Sequence, residues 1–406
     1  MDIVERFLSY VAFPTQSDEN SSSSPTTEKQ WALLRHLEQE LRQIGIADVT
    51  LNEDGYLFAE IPATEDAAGP GGSEPPCVAF IAHVDTAAEA PDAPADPRVV
   101  AYEGGDIELG HGKALSPSRF PELNRYVGQR LIVTDGATLL GADDKAGVAE
   151  IVTAAENVIG SGRPHGAIEL CFMPDEEVGL GARRCERSQF AAEFGYTVDG
   201  GRTGDYNFEN FNAARANVTF TGIPVHPGTA KNKLINALTL AGLYDASLPD
   251  ERPENTEGYE GFYHLLTLEG SSSGAVSSYL IRDHSREKFE QRKRVMEQKA
   301  AELNERIGHE LVRIEISDTY YNMRGIMEQH PRVNELALEA YRACGVEPAV
   351  APIRGGTDGA VLTFKGLPCP NLCTGGENFH SEYEYISVEA LDKCREIIEY
   401  LMTHVQ

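Results

Sequence analysis

The chain is poor in several things, and each scarcity excludes a class of function. Only 35 Lys and Arg stand against 64 Asp and Glu, a formal net charge of −29 over 406 residues. Nucleic-acid phosphates need clustered Lys and Arg, so a nucleic-acid partner is excluded. The acidity reads mainly as solubility, and it leaves metal binding open because carboxylates are ligands. No apolar run approaches the length that spans a bilayer, so no membrane partnership of that kind is expected. The opening MDIVERFLSYVAF has neither a basic leader nor a cleavage site. It predicts a helix with Ile3, Phe7 and Tyr10 on one face, not a signal peptide. Seven cysteines are scattered without a CxxC pair, which fits a reduced cytoplasm and not a disulfide framework. Cys369 and Cys373 flank a strand-like run and read as small buried apolar residues, not metal ligands.

What is present has room for two domains with real cores, at 41% hydrophobic content. Thr26 to Ile44 predicts an amphipathic helix capped by Thr26 or Thr27 and stopped by Gly45. Val49 to Ile61 predicts a hairpin turning at Asp54-Gly55, and ATEDAAGPGGSEPP a surface loop. Strand-like runs then alternate with helical ones, including a helix from about Ala146 to Ile159, which predicts an α/β domain with a mainly parallel sheet. Near Phe211 the pattern changes. ARANVTFTGI, a helix over Asn232–Ser247, FYHLLTLEG, AVSSYLIRD, a charged helix over Ser285–Ile307 and LVRIEISDTY together spell β-α-β-β-α-β, a ferredoxin-like split βαβ unit. A helix near Arg332–Cys344 then restores the α/β character. The expected organisation is therefore a catalytic domain of 1–210 and 324–406 interrupted by an inserted domain of 211–323.

One pattern recurs five times: a short apolar run ends and a His or acidic residue follows. The instances are CVAFIAHVDT with His83 and Asp85, TLLGADDKAG with Asp143 and Asp144, IELCFMPDEEVG with Glu176 and Glu177, YTVDGG with Asp199, and NLCTGGENFH with His380. Catalytic groups collect past the carboxyl ends of buried strands, and His with carboxylate suits a borderline cation such as zinc. Asp85, two residues past His83, cannot easily share its ion in extended backbone but can orient the imidazole. Glu176 and Glu177, if extended, point opposite ways, so one can hold a metal while the other faces water. Each ending alone has a blander reading. Asp143-Asp144-Lys145 reads as a helix N-terminus, Asp199-Gly200-Gly201 as a turn, and Glu176-Glu177 and His380 as solvated surface. Their order and shared context favour a site of more than one ion.

The ordered set HxDT, GADDKAG, DEEVGxGA, VDGG, VHPGTAK, RGGTDGA and a late His resembles the di-zinc exopeptidase and aminoacylase superfamily, and within it the tripeptide aminopeptidase branch. The likeness spans nearly the whole chain and includes FENFNAA and EGYEGFYHL, which have no metal role. It implies a zinc-exopeptidase-like fold with a lid and dimerisation domain inserted, a homodimer formed through that domain, and small peptides as substrates. It implies two zinc ions per subunit, with cobalt or manganese not separable from zinc by ligand type. By that resemblance His83 and Asp199 bind one ion, Glu177 and His380 the other, and Asp143 bridges them through a turn with a cis bond to Asp144. Asp85 orients His83, and Glu176 is the general base that activates the metal-bridging water. His226, Arg282 and Arg354 match positions that contact substrate, Arg354 at the peptide's carboxyl end. The chain departs from the pattern at ENFHSEYEY, where relatives often carry Gly after the His. Glu377 and Glu382 add negative charge there, which implies an intact ligand and a shifted substrate preference. A dipeptidase or N-acyl amino acid deacylase on the same scaffold stays open. A non-catalytic metal-binding descendant does too, although Glu176 is retained.

Overall fold

The computed structural model describes residues 1–67, 75–91, 93 and 95–404. The middle of the ATEDAAGPGGSEPP loop, 68–74, lies outside them. The chain forms two units: Met1–Phe208 with Gly325–Ala351 and Thr357–Gln406, and Glu209–Arg324 with Pro352–Gly356.

The first unit is built on an eight-stranded sheet. Val78–His83 and Ile168–Met173 are buried at every position, as strands covered on both faces must be. They pair in parallel, and Phe194–Gly200 and Asn371–Cys373 continue the parallel run. The hairpin of Asp48–Leu51 and Leu57–Ile61 extends one edge antiparallel, turning where Asp54-Gly55 predicts. Asp205–Asn207 pairs antiparallel at the other side. The α/β class with a mainly parallel centre thus holds, with a sheet that is mixed at its flanks. Helix Ala142–Ser161 packs along the central strands, with Ile3–Val11 and Val388–His404 against it. Ala182, Cys185, Phe190, Leu362 and Leu367 cover Ala79, Ile81, Cys171 and Met173. A smaller antiparallel sheet joins Gly376–Glu377, Tyr385–Ser387, Arg130–Val133 and Arg98–Ala101. It fastens the hairpin loop that carries His380 to the strand leading toward Asp143.

The expected helix over Thr26–Ile44 begins later, at Gln30. Thr26 does not cap it, because the Thr26 amide and hydroxyl both donate to Asp175, at 2.8 and 2.5 Å. All seven cysteines are free of disulfides. No helix of the described residues is long and apolar enough to cross a membrane.

The second unit has four antiparallel strands, Asn212–Thr221, Phe262–Gly270, Gly274–Asp283 and Val312–Tyr320, with the first strand between the third and fourth. Helices Ala237–Asp245 and Arg286–Ile307 cover one face. Period-2 burial puts Ala214, Ala216, Val218 and Phe220 under Tyr244, Phe289 and Met296. The first helix is shorter than Asn232–Ser247 because Asn236 caps it, accepting the Leu238 amide at 2.9 Å. The unit also takes up Pro352–Gly356, where the Ile353 amide donates to Glu209 O at 2.8 Å.

Candidate metal centre

Three of the five endings are strand ends and two are not. His83 closes Val78–His83, Asp199 lies at the end of Phe194–Gly200, and Glu176-Glu177 follow Ile168–Met173 in a turn. Glu176 and Glu177 therefore lie in a turn and not in the extended backbone that the sequence reading gives them. Asp175, with φ of 62°, turns the chain first. Asp143 sits in the first turn of helix Ala142–Ser161, where Asp143 and Asp144 have non-helical dihedrals and the bond between them is cis. His380 stands beyond Asn371–Cys373, in the loop between Gly376–Glu377 and Tyr385–Ser387.

These elements bring His83, Asp85, Asp143, Glu176, Glu177, Asp199 and His380 to one place. Asp143 touches both imidazoles: Oδ1 is 3.0 Å from His83 Nε2 and Oδ2 is 3.1 Å from His380 Nε2. Asp199 Oδ1 lies 3.6 Å from His83 Nε2, and Glu177 Oε2 lies 3.1 Å from His380 Nε2. Ligand atoms of His83, Asp143 and Glu177 lie within 4.8 Å of one another, as do those of His83, Glu176 and Asp199. His83 Nδ1 faces acceptors only, Asp85 O at 3.0 Å and Asp85 Oδ1 at 3.3 Å. Nδ1–H is therefore held in place, and Nε2, which faces Asp143 and Asp199, is the nitrogen a cation would take once its proton is displaced. Asp85 does a second thing that the spacing does not reveal. Its carboxylate accepts the Glu176 and Glu177 amides at 3.0 and 3.1 Å, so one residue orients the imidazole and the acidic turn together.

The electrostatics are those of an anionic cluster short of positive charge. Burial, then the charge of Asp199, raises Glu176 well above the ordinary carboxylate range. Burial and the charge of Asp143 lift Glu177 to about 8, and burial also raises Asp199. Burial works against a charged His83, but hydrogen bonds to Asp143, Asp199 and Asp85 outweigh it and hold His83 well above its usual value. Hydrogen bonds to Asp143 and Glu177 raise His380 to about 11. Burial would raise Asp143, yet its bonds to His380 and His83 hold it below its usual value. Protons thus sit where cations would, and a cation must displace them. The donor set fits a zinc-like ion, being imidazole nitrogen and carboxylate oxygen only. Glu177 Oε1 is buried with no hydrogen-bond partner among the described residues, as a ligand atom would be.

His226, Arg282 and Arg354 belong to the second unit. His226 Nδ1 accepts the Gly228 amide at 3.1 Å, which leaves Nε2–H as the outward donor. Arg282 donates to Arg354 O at 3.1 Å, while its buried Nε has no partner among the described residues. Arg354 is heavily engaged. It donates to Gly258 O, Glu260 O, Thr256 O and Thr256 Oγ1 at 2.9 to 3.2 Å, and lies over Phe211 and Phe262. Of the acidic residues beside His380, Glu377 accepts the Tyr126 hydroxyl at 2.7 Å and Glu382 pairs with Lys113.

Two supporting residues escape the sequence reading. Asp144 Oδ2 accepts the His83 amide at 3.1 Å, and Asp358 Oδ1 accepts the Ala182 amide at 2.8 Å behind the acidic turn. Both stand inside motifs already noted, GADDKAG and RGGTDGA, but their neighbours drew the assignment.

Residues 135–404 match the sequence profile of Peptidase family M20/M25/M40. A peptidase T of Shouchella clausii is 49% identical over 399 residues, covering 98% of this chain and 96% of its own. The chain belongs to peptidase family M20/M25/M40. As an M20-family member it is a hydrolase, and the resemblance carried by the motifs is borne out at this level. The fold agrees with aminopeptidase PepT from Bacillus cereus, with a TM-score of 0.76 and 24% identity, covering 99% of this chain and 98% of that one. It also agrees with a dinuclear metal binding M20 peptidase of Bacillus subtilis, with a TM-score of 0.65 and 15% identity, covering 99% and 96%.

Proposed function

We propose that this M20 peptidase is a metallo-aminopeptidase that releases the N-terminal residue from tripeptides. The observation that carries the reading is the single carboxylate, Asp143, in contact with both His83 and His380 while Asp199 and Glu177 flank them. The near full-length likeness to proteins named peptidase T supports the substrate class.

His83 and Asp199 would hold one zinc ion, Glu177 and His380 the other, with Asp143 between. When bound, such ions act as Lewis acids on a peptide carbonyl and make water acidic enough to attack at neutral pH. The chain's own residues do the rest. Asp85 keeps His83 in the tautomer that offers Nε2 inward. Glu176, raised by burial, takes the proton from the attacking water and returns it to the leaving amine. By the resemblance His226 would offer Nε2–H as a donor for the oxyanion, and Arg282 would contact the substrate. Arg354 would serve the peptide's carboxyl end by holding the loop of Thr256 to Glu260. The second unit would act as lid and as the surface of a homodimer.

The test is metal analysis of the purified protein combined with rates on di-, tri- and tetrapeptides and on N-acyl amino acids. Two divalent ions per chain and a clear preference for tripeptides with a free amino end are expected. Faster turnover of acylated amino acids than of any tripeptide would overturn the substrate assignment.

A further inference from the structure

Among the described residues, Glu384 is a carboxylate outside the assigned set that reaches the backbone of the centre. Glu384 is 1% exposed. Its Oε2 accepts the Gly141 amide at 2.7 Å and its Oε1 the Asp143 amide at 3.0 Å. Asp143 is the residue whose side chain touches both histidines. Glu384 itself belongs to the loop that carries His380, and that loop is internally knit. Ser381 Oγ donates to Asn378 O at 2.7 Å, the Tyr383 amide to Ser381 Oγ at 3.1 Å, and the Glu384 amide to Ser381 O at 3.1 Å. On the far side of the turn Asp144 accepts the His83 amide. A line of direct bonds thus runs from the His380 loop through Glu384 to Asp143 and Asp144, and on to His83.

We propose that Glu384 is a positioning residue that fixes the separation of the His380 loop and the Asp143 turn, so that one carboxylate can meet both ligand sets. The proposal rests on the two-metal reading given above. The chemistry asks for a glutamate. Two amides need two acceptor oxygens, and a carboxylate has only acceptors. Glutamine keeps the shape but turns an NH2 toward one of the amides. Aspartate keeps the charge but is a methylene too short to reach both.

The test uses the full-length protein stripped of metal and titrated with Co2+ under chelator competition, with visible absorption read at each step. Glu384→Gln should weaken binding of one ion by about 10–100-fold, the range for residues that orient ligands, and should change the cobalt spectrum. Glu384→Asp should not restore either. Circular dichroism of the metal-free variants should match the parent. Wild-type affinity and spectrum in Glu384→Gln would overturn the proposal, and so would full rescue by Glu384→Asp. Loss of folded structure in both variants would make Glu384 a residue of the fold and overturn it as well. Failure of the unaltered protein to bind Co2+ would instead refute the two-metal reading.

Discussion

Glu176 and Asp143 sit in the same cluster and both are carboxylates, yet their surroundings separate them. Asp143 is bonded to both imidazoles, as a bridging ligand would be, whereas Glu176 pairs with neither among the described residues and is left for proton transfer. Substitution should divide them. Glu176→Gln is expected to retain its metal and to lose about 10²–10⁴-fold in kcat, the usual contribution of a positioned acid–base group. Asp143→Ala is expected to lose metal first, because both histidines lose their shared partner. Parallel metal analysis and tripeptide kinetics on the two variants check this. Near-normal turnover in Glu176→Gln would remove it as the base, and two ions retained in Asp143→Ala would remove it as the bridge. Asp85 is the more economical piece of chemistry here, since one side chain touches His83 and both amides of the acidic turn. Spacing alone supports the first contact. The second depends on the turn made at Asp175, where a non-glycine residue takes a positive φ.

At the scale of elements, helix Ala142–Ser161 sets the position of Asp143, and Gly147 lets it lie close to the sheet. A Cβ at Gly147 would come within 2.1 Å of Val198 O and 2.5 Å of Asp144 Oδ1. Gly147→Ala should therefore cost about 1–3 kcal/mol as overpacking does, and should weaken metal binding because the Asp143 turn must shift from the strand bearing Asp199. Denaturant unfolding and metal titration would test both, and unchanged values in each would show that the contact relaxes freely. The same helix is tied to Ile3–Val11 through Arg6, which is 1% exposed and donates to Glu40 at 2.8 Å, Thr153 at 2.7 Å and Glu156 at 2.6 Å. Arg6→Met leaves Glu40 buried without its cation, so a loss of about 3–5 kcal/mol is expected. Arg6→Met with Glu40→Gln should recover part of it. These elements also show what the sequence could disclose. Hydrophobic period and turn residues locate the strands and the β-α-β-β-α-β order, because burial of one or both faces decides those patterns. The His83, Glu176-Glu177 and Asp199 endings are legible for the same reason. Asp143 and His380 are legible only as motifs, since a turn and a hairpin loop place them, not a strand end. Thr26 as a cap and Asp144, Asp358 and Glu384 as supports depend on partners distant in the chain, which no local pattern encodes.

Over the whole molecule the excess of acid over base, −29 in formal charge, bears on stability as well as on partners. Several carboxylates are buried without a cation. Burial, then nearby negative charge, raises Asp358 to about 7. Glu150 is fully buried with both oxygens unpartnered among the described residues, and burial raises it well above the ordinary range. In the unfolded chain such groups titrate near pH 4. The folded protein therefore holds protons on them across a window where the unfolded chain has released them. The stabilising contribution of Asp358 is full below about pH 4 and is lost as pH rises through about 7, and that of Glu150 is likewise lost as pH rises above about 4, at up to about 1.4 kcal/mol per pH unit for each group. Glu156 runs the other way. Burial opposes its charge, but Arg6 outweighs that and lowers it, so its contribution is lost as pH falls through its folded value. Protein stripped of divalent cations should accordingly melt at a lower temperature at pH 8 than at pH 6. Glu150→Gln, which needs no proton to stay neutral, should flatten that slope while leaving the pH 5 value nearly unchanged. Added salt should raise the pH 8 melting temperature by screening the net charge. Calorimetry of both proteins from pH 5 to 8 decides the matter. An equal slope in the parent and in Glu150→Gln would mean that Glu150 is solvated or paired when the protein is in solution, and that the pH dependence arises elsewhere.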